Sequence, residues 1–373
     1  MNNFDIELNR ELDWMHRHLP RLGRALTALP ALSSMRLACS MHLDRKMVPL
    51  VDGLIARGAR VFLTTCNPTT VRDDVVARLV ARGAEACARR DMPPAEAAEA
   101  VERALDWGPT HLCEMGADLS AALAARSTAA RPPVRASLEA TGSGIAQLAS
   151  LSLPYPIFNW DDVPVKEGLH NRRMVGLSTW HAFYERTRLS LHEKRVLVVG
   201  YGSVGRGVAD AARAYGGSVM IAERDPMRAL EAAYAGWSVR TLDEAIAEAD
   251  VVVTATGAAN VVAEPHFKRL KHGAFLLNVG HRPDEIDVAA LRARPHREVL
   301  PFIEEVQIGE RAVVYLFAGG SMANLTAGQG DSLNSFDVLL AVMAAGIGYL
   351  AGEGAQEAPG VHVLPRRVWE PIL

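Results

Sequence analysis

The sequence predicts an α/β protein made of two doubly wound parallel-sheet domains, a Rossmann nucleotide-binding domain and a substrate-binding domain. Three observations carry this expectation. Short apolar runs alternate with amphipathic helical patterns along most of the 373 residues, which is how parallel βαβ units read. A glycine turn, Gly200-Tyr201-Gly202-Ser203-Val204-Gly205, stands between one such run and one such helix. The length exceeds one typical domain and suits two.

Taken in order, residues 5–28 read as a helix with Ile6, Leu8, Leu12, Met15 and Leu19 on its apolar side. Residues 36–40 form a short buried strand, a helix covers 46–57, Gly58 stops it, and 60–65 is the next strand. Asn67-Pro68-Thr69-Thr70 supplies a turn and a cap for a helix over 71–82. A helix over 94–104 and a strand over 111–114 follow. Leu153-Pro154-Tyr155-Pro156 is a linker-like break, and 170–190 reads as a long helix opening on His170 and Asn171. Apolar runs at 196–199, 219–222, 251–254 and 275–278 mark a regular βαβ region that ends near Pro301. Residues 335–350 form an apolar helix, and 352–359 a surface loop. The expected domains are 1–172 with 335–373, and 173–334.

The glycine turn fixes a cofactor. Gly200 permits the tight turn, Gly202 admits a pyrophosphate to the backbone, and Gly205 lets the helix pack on the strand. Ser203 and Val204 open that helix, whose N-terminal N–H groups and dipole favour phosphate. The next apolar run ends on Glu223, placed to bind both ribose hydroxyls, which favours NAD over NADP. Arg224 beside it is the residue type that accepts a 2′-phosphate, and Arg228 joins the cofactor-binding set.

Composition excludes several classes. A formal charge of −3 recruits no nucleic acid. No apolar run approaches the ~20 residues of a membrane span. The charged, amphipathic start has no secretion signal. Four scattered cysteines (Cys39, Cys66, Cys87, Cys113) read as reduced thiols of a cytoplasmic protein. Twelve histidines show neither HxxxH nor HExxH, so no metal is expected.

Beyond the turn, the order GYGSVGRG, ERDPMRALEAAYAGWSVRTLDEA, VVTATG, NVGHRPDEIDVAAL resembles S-adenosyl-L-homocysteine hydrolases. SMHLDRKMVPLVDGL and TTCNPTT early, GGSMANL late and GVHVLPRR near the end extend the resemblance over nearly the whole chain. It implies a tightly held NAD that oxidises a nucleoside 3′-hydroxyl. The ketone acidifies the 4′ C–H, a 5′ substituent is eliminated, water adds, and the ketone is reduced again. By the same resemblance Thr254, Thr256 and Gly257 lie along the cofactor. Asn278, Gly280, His281 and Asn324 flank the nicotinamide and the reacting sugar, with His281 catalytic. Lys166 assists deprotonation of the 3′-hydroxyl, and Asn171 binds substrate. Glu139 belongs to a glutamate and threonine run that holds the substrate hydroxyls, Thr141 is the surviving threonine of that run and is counted with the cofactor-binding set, and His42 stands near the 5′ leaving group.

The departures are systematic. Where the family has an acidic dyad before Gly-Gly, this chain has Glu114-Met115-Gly116-Ala117, and a methionine transfers no protons. An aspartate four residues after the lysine is His170, a group able to act as base or acid. The cysteine position on the same helix is Val175. Asp44 and Lys46 replace a threonine and a glutamate of the base-recognition segment, either as substrate contacts or as an ion pair in a helical first turn. A late Gly-His pair is Gly330-Asp331, and Asp331 is counted with the substrate-binding set. The family's C-terminal tail is missing, so a more exchangeable NAD or a different oligomer is expected.

The resemblance therefore implies a nucleoside-binding homodimer or homotetramer with no nucleic-acid or membrane partner. The expected activity is a nucleoside hydro-lyase of specialised metabolism. Ordinary S-adenosylhomocysteine hydrolysis, an inactive NAD-binding partner protein and a net dehydrogenase are the alternatives.

Overall fold

Fifteen strands form two sheets among the described residues. The structure, a computed structural model, describes residues 3–373. In chain order the strands are β1 (Arg36–Ser40), β2 (Arg60–Thr64), β3 (Glu85–Ala86), β4 (His111–Glu114), β5 (Ala136–Glu139), β6 (Pro156–Asn159), β7 (Arg195–Val199) and β8 (Ser218–Ala222). They continue as β9 (Ser238–Val239), β10 (Val251–Thr254), β11 (Ala274–Asn278), β12 (His296–Leu300), β13 (Ile303–Gln307), β14 (Val313–Phe317) and β15 (Gly360–Val363). The chain divides into two units: residues up to Lys166 together with Leu333–Leu373, and Glu167–Ser332.

The first unit holds the sheet β15-β6-β5-β4-β1-β2-β3, parallel throughout. The chain leaves β1 toward β3, then returns to β4 on the other side of β1. That reversal makes a topological switch point between the carboxyl ends of β1 and β4, where α/β sheets bind ligands. Thr64, Ser40, Glu114, Glu139 and Asn159 share one rung across five strands at that end. All five are buried. Their polarity is costly away from water unless each group is paired; Ser40, Glu114, Glu139 and Asn159 are hydrogen-bonded, while Thr64 Oγ1 has no partner. Below it, apolar residues of the strands and of helix Leu333–Leu350 make the core. That helix is long and apolar enough to cross a membrane by composition alone, but 72% of it is buried.

The helix expected over 5–28 is broken. Helices Asn3–His18 and Pro20–Ala28 meet at Leu19, because Pro20 lacks an N–H and clashes with a preceding turn. The Asp337 carboxylate accepts from Arg21 N (3.0 Å) and Leu22 N (2.8 Å), capping the second helix from a residue remote in sequence. Leu8, Leu12, Met15 and Leu19 are buried as expected; the side chain of Ile6 lies outside the described residues. Pro156, expected in a linker, opens β6.

The second unit holds β12-β13-β14-β11-β10-β7-β8-β9, with its switch point between β7 and β10. Apolar residues cover both faces of the sheet. The sheet is parallel as expected except at one edge, where β12 pairs with β13 and β13 with β14 antiparallel. The long helix expected over 170–190 has two parts. Lys166–Met174 is wound as a π-helix and Val175–Thr187 as an α-helix. A π-turn widens the helix and re-aims its side chains, and such turns occur at functional sites.

Candidate active-site groups of the two units

His42 follows β1 by two residues and is half-buried. Its Nδ1 lies 2.9 Å from Thr70 Oγ1. Thr70 Oγ1 donates its one proton to Asn67 O at 2.7 Å, so it accepts from His42. That assigns the imidazole proton to Nδ1 and leaves Nε2 as the basic nitrogen. The Cys66 thiol lies 3.7 Å from the same ring, and burial together with the charges of Asp118 and Glu139 pushes its pKa up. Asp44 accepts from Lys46 N at 2.8 Å, capping the turn Arg45–Met47. Lys46 is itself buried, its ammonium 3.8 Å from Asp44 and 4.8 Å from the centre of the Phe336 ring.

Three carboxyls meet at the ends of β4 and β5. Glu139 accepts from Gly116 N and Ala117 N (both 2.9 Å), Thr141 N (2.8 Å) and Thr141 Oγ1 (2.7 Å). Glu114 accepts from Ser120 N at 3.0 Å, from Ser120 Oγ and from Ser137 Oγ at 3.2 Å. Burial, first of all, raises Glu114 to about 7 and Glu139 to about 8, and the Glu114 charge adds to the second shift. Asp118 opens the helix Asp118–Ala125 and accepts from Ser40 Oγ at 3.3 Å. Burial pushes it up to about 6. Glu139 and Glu114 are enclosed by donors of their own unit, whereas Asp118 is half-buried. Met115 packs on the apolar core.

Lys166 closes the first unit. Its ammonium is 3.1 Å from Asp161 Oδ1, and both side chains are largely buried. A Cβ on Gly142 would lie 3.2 Å from Asp161 Oδ2, so this ion pair sits against the turn that begins with Thr141. Thr141 caps that turn's helix by accepting from Gly144 N at 3.0 Å.

In the second unit the glycine turn has the geometry its sequence requires. Gly200 adopts φ +96°, open to glycine. A Cβ on Gly205 would sit 2.0 Å from Gly200 O. At Gly202 the space is empty, the nearest atom being Arg228 Nη1 at 3.8 Å, so the backbone before helix Ser203–Ala214 is open to a phosphate. Val204 is half-buried within this helix. Glu223 accepts from Tyr201 N (2.6 Å) and Asp225 N (2.9 Å), and its remaining lone pairs are available to ribose hydroxyls. Arg224 is exposed.

Asn278 fastens the far end of this half. Its amide donates to Arg282 O (2.6 Å) and Gly320 O (3.1 Å), and its carbonyl accepts from Gly280 N (2.8 Å) and Thr254 Oγ1 (3.1 Å). Asn324 is 3% exposed, donates to Ser178 Oγ at 3.4 Å, and its Oδ1 is buried without a hydrogen-bond partner. A buried orphan acceptor is costly, and the carboxamide of a nicotinamide is the kind of donor that satisfies it. The open turn, Glu223 and this orphan together fit NAD. His281 is half-buried beside Gly280.

His170 and Asp331, two of the departures, touch: Nδ1 lies 2.6 Å from Oδ2. Asn171 is half-buried on the same π-helix. Sequence reasoning missed Cys66 as a neighbour of His42, Asp161 as the partner of Lys166, and Glu285. The Glu285 carboxylate accepts from Thr256 N (2.8 Å), Thr256 Oγ1 (2.7 Å) and Gly257 N (2.7 Å). An acid two residues past the His-Arg-Pro of this loop was the only signal.

A family profile described as "S-adenosyl-L-homocysteine hydrolase, NAD binding domain" matches residues 178–330. S-inosyl-L-homocysteine hydrolase of Methanopyrus kandleri is 32% identical over 367 residues, covering 96% of this chain and 87% of that protein. Adenosylhomocysteinase of Aeropyrum pernix is 34% identical over 365 residues, covering 95% and 88%. S-inosyl-L-homocysteine hydrolase of Methanosarcina mazei is 34% identical over 370 residues, covering 96% and 89%. The chain therefore belongs to the S-adenosyl-L-homocysteine hydrolase family, with NAD as its cofactor.

Proposed function

We propose that this chain is a nucleoside hydro-lyase, which oxidises a nucleoside 3′-hydroxyl transiently and eliminates water across the adjacent sugar carbons. Bound NAD supplies the acceptor that takes up and returns the hydride. Gly202, Glu223 and Asn324 hold it, and Asn278 fixes the loops around it. Lys166, oriented by Asp161, moves the hydroxyl proton at its Nζ. His42 offers Nε2 toward the 5′ group, with Thr70 holding its tautomer.

The observation that carries the reading is the replacement of the family carboxylate by core-packed Met115 beside a half-buried Asp118 raised to about 6. A hydroxide leaves a carbon far less readily than a thiolate does. Eliminating water therefore needs a proton donor at the oxygen, and a carboxyl titrating near neutrality is suited to give one. Elimination then breaks the 4′ C–H bond and the C–O bond, forms a C=C bond and releases water, with no net redox change. Purified enzyme with NAD and adenine nucleosides should yield an unsaturated sugar, and Lys166→Ala should abolish it; a fully active Lys166→Ala would sink the assignment.

A second reading is thioether hydrolysis of an S-nucleosylhomocysteine, favoured by near-full-length likeness to relatives with that activity in their names. Homocysteine release at a rate exceeding nucleoside dehydration would establish it instead.

A further inference from the structure

Glu285 lies in neither set of groups used above, and it is fully buried. Two backbone N–H groups and one hydroxyl of Thr256 and Gly257, just past β10, donate to it. Both oxygens receive donors, an arrangement suited to an anion. Burial raises its pKa above the ordinary value, and these donors oppose that rise. Among the described residues it has no ion-pair partner. Arg282, the cation on the same loop, is exposed and pairs with Asp284. The carboxylate also reaches the loop past β11, since a Cβ on Gly280 would sit 1.7 Å from Oε1. A buried carboxylate with no cation in ion-pair contact thus underlies the two loops at the carboxyl ends of β10 and β11, Arg282 acting on it only at longer range. These are the cofactor side of the sheet, one and two strands from the glycine turn.

NAD+ and NADH share the pyrophosphate, both riboses and the adenine. They differ in one charge, the cationic ring of the oxidised form. A fixed buried anion repels the common phosphates equally in both, so only its attraction to the ring separates them. We propose that Glu285 is a positioning residue that acts electrostatically, as the buried counter-charge that favours oxidised over reduced cofactor. The resting enzyme is thereby kept ready to accept a hydride at the start of each cycle. This rests on NAD binding at the turn and stands whichever group the enzyme eliminates.

The test is calorimetric titration of cofactor-stripped, full-length protein with NAD+ and with NADH. The wild-type ratio Kd(NAD+)/Kd(NADH) should lie below one. Glu285→Gln keeps the size and removes the charge, and should raise the ratio about tenfold. Glu285→Asp keeps the charge on a shorter arm; it should weaken both cofactors while leaving the ratio within about threefold of wild type. Equal weakening of both cofactors by Glu285→Gln would reduce the residue to a mechanical brace and overturn the proposal. Should that variant fail to fold, a wild-type ratio well above one would overturn it equally.

Discussion

The His170 imidazole meets the Asp331 carboxylate at 2.6 Å, with the acid almost fully buried. By resemblance the first position is an aspartate in the family and the second a histidine. The two departures meet in this chain, imidazole on one side of a single contact and carboxylate on the other. A histidine can donate from one ring nitrogen while accepting at the other, whereas an ionised aspartate only accepts. His170→Ala and Asp331→Asn should each lower kcat/KM by tenfold or more. The exchanged double variant, His170→Asp with Asp331→His, should recover most of the loss. The double variant His170→Ala with Asp331→Asn closes a cycle with the two single variants, and its steady-state kinetics should give a coupling of about 1.4 kcal/mol or more. Additive losses would show that the contact carries no function.

The glycine turn separates folding from binding. Gly205→Ala pushes a methyl into the Gly200 carbonyl, a backbone atom that cannot step aside, and should destabilise by about 1–3 kcal/mol. Gly202→Ala meets only empty space on its own chain. Its melting temperature should stay near wild type while NAD affinity falls at least tenfold, because the methyl occupies the pyrophosphate approach. Thermal melts with and without NAD distinguish the two. Unchanged NAD affinity in Gly202→Ala would move the cofactor away from this turn.

What was legible in the sequence was local. The run from Val196 through Gly205 to Glu223 folds as it reads, because each residue's role depends on neighbours within one βαβ unit. The cap on the helix that starts at Pro20 comes from Asp337, more than three hundred positions away, and no periodicity carries that. The π-turn at 166–174 and the β12–β13 hairpin were hidden for a related reason, since helical spacing does not separate π from α winding, and β12 is exposed throughout. Lys166, His42 and Glu139 were named through family resemblance, whereas Glu285 stands inside the NVGHRPDEIDVAAL run but its contacts with Thr256 and Gly257 join two loops, which spacing does not show.

Buried acids give the fold a pH dependence of definite sign. Glu114 at about 7 and Glu139 at about 8 both lie above their ordinary 4.5. The folded state therefore binds protons more tightly than the unfolded chain between these values. This contribution is full below about 4.5 and is lost as pH rises through about 7 and 8. Urea unfolding at several pH values across that window should show stability falling by a few kcal/mol. Glu139→Gln should flatten the slope, at a cost of about 1–3 kcal/mol because its amide would face the Ala117 N–H. A stability that rises with pH over this window would show that the two acids are ionised throughout.

Restoring the lost carboxylate tests the proposed activity from the opposite direction. Met115 is half-buried, follows Glu114 at the end of β4, and its own N–H donates to Ser40 O at 2.9 Å. Met115→Asp leaves that backbone contact intact and returns a proton-carrying group to the family's position. It also places a third acid near Glu114 and Asp118, where burial already raises both. The variant should therefore lose roughly 1–3 kcal/mol of stability, since a thioether packed on the core becomes a carboxyl. If the chain's activity was redirected by losing this group, the same variant should gain homocysteine release from S-adenosylhomocysteine by at least tenfold over wild type. On the proposed reading dehydration draws its proton from Asp118, so it should persist in Met115→Asp and collapse in Asp118→Asn. Parallel assays for homocysteine and for the unsaturated nucleoside on the three proteins read both arms. No gain of hydrolysis, together with full dehydration by Asp118→Asn, would remove both residues from the proton-transfer chemistry.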